Sequence, residues 1–137
     1  MLDYEALKAT RNQDNPFALY IGASVTEISH GHAEVSLTPG DEHVNILGTI
    51  HGGCLYTLAD IAAGSAVASL GCRAVTATGE YHYFSPGRNG GIIKATAEIV
   101  KAGKTLVTTE VTLLTGAGDI LGKATFVHTI LKSQHAD

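Results

Sequence analysis

Apolar and polar residues in this chain keep a two-residue period over 23–28 and again over 33–37, the pattern of half-buried strands. Ser29-His30-Gly31 between them is a tight hairpin signal, and Pro39-Gly40 ends the second run. Over 52–70 the alternation disappears. Length, scant punctuation and good helix formers predict one long helix there. Period two then returns. It predicts strands over 73–84, 91–100, 105–114 and 120–131, broken by Ser85-Pro86-Gly87, Ala102-Gly103-Lys104 and Gly116-Ala117-Gly118-Asp119. Ile93, Ala95, Ala97 and Ile99 alternate with Lys94, Thr96 and Glu98; Val107, Val111 and Leu113 lie opposite Thr108, Glu110 and Thr112. One face of such a sheet is buried and one is wetter, and connections this short make the strands antiparallel neighbours. Nearer the start, 3–10 and 17–20 predict two short helices either side of Asn15-Pro16.

The element lengths match. A helix of about 18 residues spans ~27 Å, and strands of nine or ten residues span ~30 Å. The expected class is α+β: a curved antiparallel sheet wrapped around one long central helix. Ala59, Ala62, Ala63, Gly64, Ser65, Ala66 and Ala68 let the sheet approach that helix closely. One helix cannot cover both faces of a six-stranded sheet, so pairing with a second copy is expected.

Composition narrows the class. The 137 residues are 45% hydrophobic and 16% charged, which fits one globular domain over 1–137. A formal net charge of −4 argues against a nucleic-acid or acidic-membrane partner, while leaving room for a small anionic ligand held by local bases. The first fifteen residues do not read as a basic-then-apolar leader, so none is expected. The low-charge run 44–70 is interrupted by Gly48, His51, Gly52, Gly53 and Asp60, which makes it a poor membrane span. Cys54 and Cys72 have neither metal-pair spacing nor disulfide density, so a cytoplasmic location is the default expectation.

The chemistry concentrates in Asn45-Ile46-Leu47-Gly48-Thr49-Ile50-His51-Gly52-Gly53, followed by Asp60 inside the helix. A helix N-terminus presents unpaired N–H groups and partial positive charge. Gly52 and Gly53 let a ligand carbonyl approach that backbone, an oxyanion site in waiting. Asp60 lies among core-like neighbours, Leu58, Ala59, Ile61 and Ala62, where an ionised carboxylate needs a partner or a purpose. A solvent-facing position or a hydrogen bond to a strand hydroxyl would also account for it. Eight residues of helix separate Gly52 from Asp60 by roughly 12 Å. A site shared between two subunits, Gly52 of one facing Asp60 of the other, removes that distance.

Together these residues resemble the hotdog-fold thioesterases of the phenylacetic-acid-degradation (PaaI) type. The pattern N-x-x-G-x-x-H-G-G with a following L-x-D is matched in order by Val75-Thr76, Tyr83-Phe84-Ser85-Pro86-Gly87 and Gly103-Lys104-Thr105-Leu106, over roughly 15–131. The resemblance implies hydrolysis of an acyl-CoA thioester, with an aryl-CoA included among the candidates, by a homotetramer built as a dimer of dimers. It also implies roles. Asp60 matches the catalytic carboxylate, the Gly52 amide the carbonyl polariser, and Asn45 the residue that orients carbonyl or water. His51 matches a supporting site residue, and Thr76 a hydroxyl that holds water near the carboxylate. A thiol leaves as thiolate without a strong acid, so a carboxylate and a polariser suffice. Asp60 then serves as general base or as nucleophile through a mixed anhydride. No metal or redox cofactor is implied, because CoA arrives as part of the substrate.

Other residues receive weaker readings. Arg88, Lys101 and Lys104 fall at turns, where family members place bases that meet CoA phosphates and where unrelated proteins place a solvated rim. Cys54 is expected as a small packed residue, and His30 and His32 as turn-surface residues rather than metal ligands. Two rivals stand beside hydrolysis: a non-catalytic acyl-CoA-binding hotdog protein, and a thioester hydratase or dehydratase, whose motifs are missing here.

Overall fold

The computed structural model describes residues 2–131. Helices α1 (Tyr4–Gln13) and α2 (Pro16–Ile21) precede the hairpin β1 (Ser24–Ser29) and β2 (His32–Leu37); α3 (Gly52–Ala68) follows a short 3-10 turn, Asp41–His43. Strands β3 (Ala74–Tyr83), β4 (Ile93–Ala102), β5 (Leu106–Thr115) and β6 (Ile120–Ile130) complete the chain. All six strands form one antiparallel sheet in the order β1-β2-β4-β5-β6-β3. This is the antiparallel sheet around one long helix that the pattern predicts, and the hotdog architecture that the family resemblance implies.

Local chemistry sets the element ends. Asp3 caps α1 by accepting from the amides of Glu5 and Ala6, and Asn15 caps α2 ahead of Pro16 at its first turn. The β1–β2 hairpin turns through Gly31 at φ +74°, which a residue with a β-carbon adopts only with strain. Helix α3 stops at Ala68, two residues short of the expected 70, where the Ser69 hydroxyl bonds back to the Ala66 carbonyl. Helix α1 runs three residues past the expected 10. Asn12 explains that extension: its side-chain amide donates to the Val25 carbonyl (2.9 Å) and accepts from the Val25 amide (2.7 Å), so it pairs with β1 as a strand would.

The core lies between α3 and the concave face of the sheet. Leu58, Ala59, Ala62 and Ala63 have no exposed surface, and neither do Val35, Ala95, Ala97, Leu113 and Phe126 opposite them. Small residues on the helix (Ala59, Ala62, Ala63) and on β4 (Ala95, Ala97) let the sheet close around α3. Strand β3 is different. It is an edge strand, most of its residues are exposed, and Val75, Tyr83 and the adjacent Phe84 are each at least half exposed. No helix among the described residues is long and apolar enough to cross a membrane.

Candidate active site

Not every side of α3 is closed by the sheet. Gly53, Thr57, Asp60, Gly64 and Ala68, spaced by three and four, form a stripe that stays partly open. Asp60 lies in that stripe, which is how a carboxylate comes to sit mid-helix among core residues. The Thr76 hydroxyl on β3 donates to Asp60 Oδ1 at 2.8 Å. In the β3–β6 register Thr76 stands directly opposite His128, whose Nε2 lies 3.2 Å from the same hydroxyl. A β-bulge follows at Ala77, between the paired residues Thr76 and Thr78. Thr76 has one hydroxyl hydrogen and gives it to Asp60, so His128 carries its proton on Nε2. The donor chain runs His128 to Thr76 to Asp60, and among the described residues Oδ2 of the carboxylate has no hydrogen-bond partner.

His128 is buried, with 3% of its surface exposed, and its Nδ1 has no partner among the described residues. Burial holds its pKa below the usual histidine range; the Asp60 charge opposes that shift and Arg11 reinforces it. The imidazole is therefore neutral. One turn beyond Asp60, a β-carbon at Gly64 would lie 3.3 Å from Arg11 Nη2 and 3.8 Å from His128 Nε2, so the glycine makes room for both. Arg11 reaches this place from α1, its Nε donating to the Ser65 hydroxyl at 2.7 Å. Asp60, Thr76, His128, Gly64 and Arg11 all line one cleft of about 670 Å³, within the size range of small-molecule sites.

A second cluster surrounds the start of α3. The His51 Nδ1 accepts from the Gly53 amide at 2.8 Å and caps the helix. The His51 amide donates to the His43 carbonyl (2.8 Å) and the Ile50 amide to the Gly87 carbonyl (2.9 Å), which fixes the approach to Gly52. Asn45 folds its own loop: Oδ1 accepts from the amides of Leu47 and Thr49, and Nδ2 donates to the Thr49 hydroxyl at 3.0 Å. At the tip of that loop Ile46 is fully exposed and Leu47 is 83% exposed. The Tyr83 hydroxyl donates to the Gly52 carbonyl at 2.7 Å, and its ring would lie 3.2–3.3 Å from a β-carbon at Gly52. Only glycine leaves that space open.

The sequence-derived residues thus fall into two groups. Asp60 and Thr76 meet; His51 and Gly52 open α3 about 12 Å along the helix axis from that pair, and Asn45 stays in the loop before them, bonded to Leu47 and Thr49. Arg88 is exposed in the β3–β4 loop at the Gly52 end, whereas Lys101 and Lys104 are exposed at the opposite end of the sheet, so one protomer does not gather the three bases. Burial raises the Cys54 thiol pKa, in keeping with a packed residue rather than a nucleophile. His32 departs from the turn-surface expectation. It sits in β2 with Nε2 2.7 Å from Glu27 and Nδ1 against Glu98. No group of ligands suited to a metal occurs among the described residues.

Pattern reading missed His128 and Arg11. Neither has a local motif: strand register delivers His128 to Thr76, and the Asn12 clamp delivers Arg11 to Ser65.

Sheet, central helix and a carboxylate on an open helix stripe define a hotdog-fold protein. Residues 47–121 match the profile of the thioesterase superfamily. The chain belongs to that superfamily. It is 30% identical to the acyl-coenzyme A thioesterase PaaI of Escherichia coli over 92 residues, covering 67% of this chain and 66% of that enzyme. The structure of the E. coli PaaI protein superimposes with a TM-score of 0.90 over 95% of this chain and 94% of that one; the identity there is 22%, and the likeness is one of fold. Human acyl-coenzyme A thioesterase 13 is 39% identical over 75 residues, covering 53% of this chain and 54% of that enzyme. A Streptococcus mutans protein solved with bound acetyl-CoA is 27% identical, with a TM-score of 0.78, covering 81% of this chain and 90% of that one.

Proposed function

We propose that this thioesterase hydrolyses acyl-CoA to free acid and CoA at sites shared by two copies of the chain. The observation that carries the reading is the placement of both half-sites on β3. Thr76, near the start of that strand, holds Asp60, and Tyr83, at its end, holds Gly52. Because β3 is an exposed edge, two copies can pair there antiparallel about a two-fold axis. Such pairing sets the Gly52 end of one protomer against the Asp60 end of its mate. The exposed Ile46–Leu47 loop tip would then find apolar cover.

In this arrangement the Gly52 amide, at the positive end of α3, donates to the thioester oxygen and strengthens its grip as negative charge develops there. His51 keeps the first turn in place through Gly53, and Asn45 holds the loop beside it. Asp60 takes a proton from water with Oδ2, the oxygen that Thr76 does not engage, as the water attacks the carbonyl carbon. The tetrahedral intermediate collapses with departure of CoA thiolate, which needs no strong acid. Oδ1 is already engaged by Thr76, and this favours the general-base route over attack by the carboxylate itself. One turnover in isotope-labelled water should then leave Asp60 unlabelled; label in its carboxyl would assign a mixed anhydride instead. Antiparallel pairing also brings the Arg88 end of one copy toward the Lys101–Lys104 end of the other, and these bases are the candidates for the CoA phosphates.

The deciding experiment pairs Asp60→Asn with a thiol-trapping assay and a binding measurement on acyl-CoA. Loss of turnover by ~10²–10⁴-fold, with folding and binding retained, is the expected result. Binding without turnover in the unmodified protein would make it an acyl-CoA-binding protein rather than an enzyme.

A further inference from the structure

Arg11 is a charged group of the cleft that hydrolysis leaves unused; Arg73 lines the same cleft from the segment between α3 and β3. Its position is fixed at both ends. The Asn12 clamp onto Val25 locks the last turns of α1, and the bond from Nε to Ser65 Oγ (2.7 Å) locks the guanidinium over Gly64. The Ser65 hydroxyl spends its own hydrogen on the Ile61 carbonyl at 2.7 Å, so it is oriented to accept from Arg11. Arginine carries five N–H donors, and among the described residues Ser65 is the partner of one of them. Asp60 is near enough to favour the charge, yet no ion pair joins the two among the described residues. Burial of this side chain lowers its pKa, an unfavourable setting for a cation with donors to spare.

Distance gives the fork a use. Gly64 lies one helical turn from Asp60, about 6 Å along the same face of α3. A thioester carbonyl beside Asp60, with its acyl group running into the cleft, would carry that group across the bare Cα of Gly64 to the guanidinium. We propose that Arg11 determines acyl specificity, favouring acyl groups that carry an oxygen acceptor about one helical turn beyond the thioester carbonyl. The planar fork offers two parallel N–H groups to a carboxylate, or one to a hydroxyl or keto oxygen. Leu7, Ile61 and Val67 supply the apolar lining between.

This inference rests on the proposed thioesterase reading, and its test separates the two. Pentanoyl-CoA, 5-hydroxypentanoyl-CoA and glutaryl-CoA have the same chain length and differ only at the far end. The unmodified protein should show a kcat/KM at least ~10-fold higher for one of the oxygenated substrates than for pentanoyl-CoA, the factor expected of a hydrogen bond to a charged group. Arg11→Met should lower kcat/KM for that substrate at least ~10-fold more than for pentanoyl-CoA, and Arg11→Lys should restore part of the difference. Whichever oxygenated substrate leads, the result supports the inference and states whether the acceptor is ionised. Equal treatment of the three substrates by the unmodified protein would overturn it. So would an equal loss on all three in Arg11→Met, since the residue would then act through Asp60 or through the fold. Failure to release thiol from any of them would instead sink the thioesterase reading.

Discussion

At the scale of single residues, the question raised by Asp60 is answered by its company. The carboxylate was legible in the sequence because a charge stood among core-like neighbours, and its hydrogen bond to Thr76 is the strand-hydroxyl contact that a purely structural reading also allowed. The donor chain gives that contact a further consequence. Thr76→Ala removes the group that orients Oδ1 and should lower kcat roughly 10-fold, whereas Thr76→Ser should stay close to the unmodified rate. Equal losses in the two variants would mean that the hydroxyl does not orient the carboxylate. His128, which no local pattern announces, makes a prediction of its own. Its pKa is lowered by burial, so the folded state binds fewer protons than the unfolded chain. The stability this contributes is complete above the unfolded pKa of about 6.5 and is lost as pH falls toward the folded value. Urea midpoints measured from pH 7.5 to 5 should therefore fall more steeply for the unmodified protein than for His128→Gln.

At the scale of elements, the pattern was enough to place the long helix, where the alternation stops, and the six strands, of which β1, β2, β4, β5 and β6 carry buried residues on one face while β3 carries none. What the pattern could not supply was adjacency. Strand β3 follows α3 in sequence and yet pairs with β6 at the far edge, and the bulges at Thr26, Ala77 and Val100 arise from closure of the sheet rather than from local propensity. Closure also explains two glycines inside strands. A β-carbon at Gly79 would lie 2.5 Å from the Phe126 ring and 2.3 Å from the Tyr56 hydroxyl; one at Gly122 would lie 2.4 Å from the Tyr81 ring and 2.6 Å from the His82 carbonyl. Gly122→Ala must displace backbone as well as a ring and should destabilise by ~1–3 kcal/mol, read from the denaturation midpoint. On the outer face, His32 has the opposite pH sign to His128. Burial pulls its pKa down, but the hydrogen bonds and charges of Glu27 and Glu98 outweigh that and raise it. Neighbouring Glu34 is taken by the Thr26 hydroxyl and by Lys94. The contribution of His32 is complete below about pH 6.5 and is lost as pH rises through the raised folded value. His32→Gln should be destabilised at pH 5.5 by up to ~1 kcal/mol, the scale of partly exposed pairs, with the gap closing as pH rises.

At the scale of the whole molecule, the separation of Gly52 from Asp60 was legible from arithmetic on one helix, whereas the edge at which two copies are proposed to rejoin them was not. That depends on which strand forms the open edge, and on Tyr83 and Thr76 tying that edge to opposite halves of α3. Subunit complementation tests it. Asp60→Asn removes the carboxylate. Gly52→Pro removes the one N–H proposed to polarise the carbonyl, at a first-turn position where proline suits a helix and after a residue, His51, whose φ of −59° and ψ of 134° already suit a following proline. Its β-carbon requires the half-exposed Tyr83 side chain to shift by a few tenths of an ångström, so folding of the variant is checked first. Each variant alone should be inactive. If every site takes Asp60 from one copy and Gly52 from its mate, a mixed dimer has one site with both groups and one with neither. Random mixing of equal amounts makes half the dimers mixed, so about a quarter of the unmodified activity should return. A site confined to a single protomer would recover nothing on mixing, because every protomer in the mixture lacks one of the two groups. Recovery that follows subunit exchange in time would tie the chemistry to the β3 edge, and no recovery from a mixture shown to contain mixed dimers would return both groups to one chain.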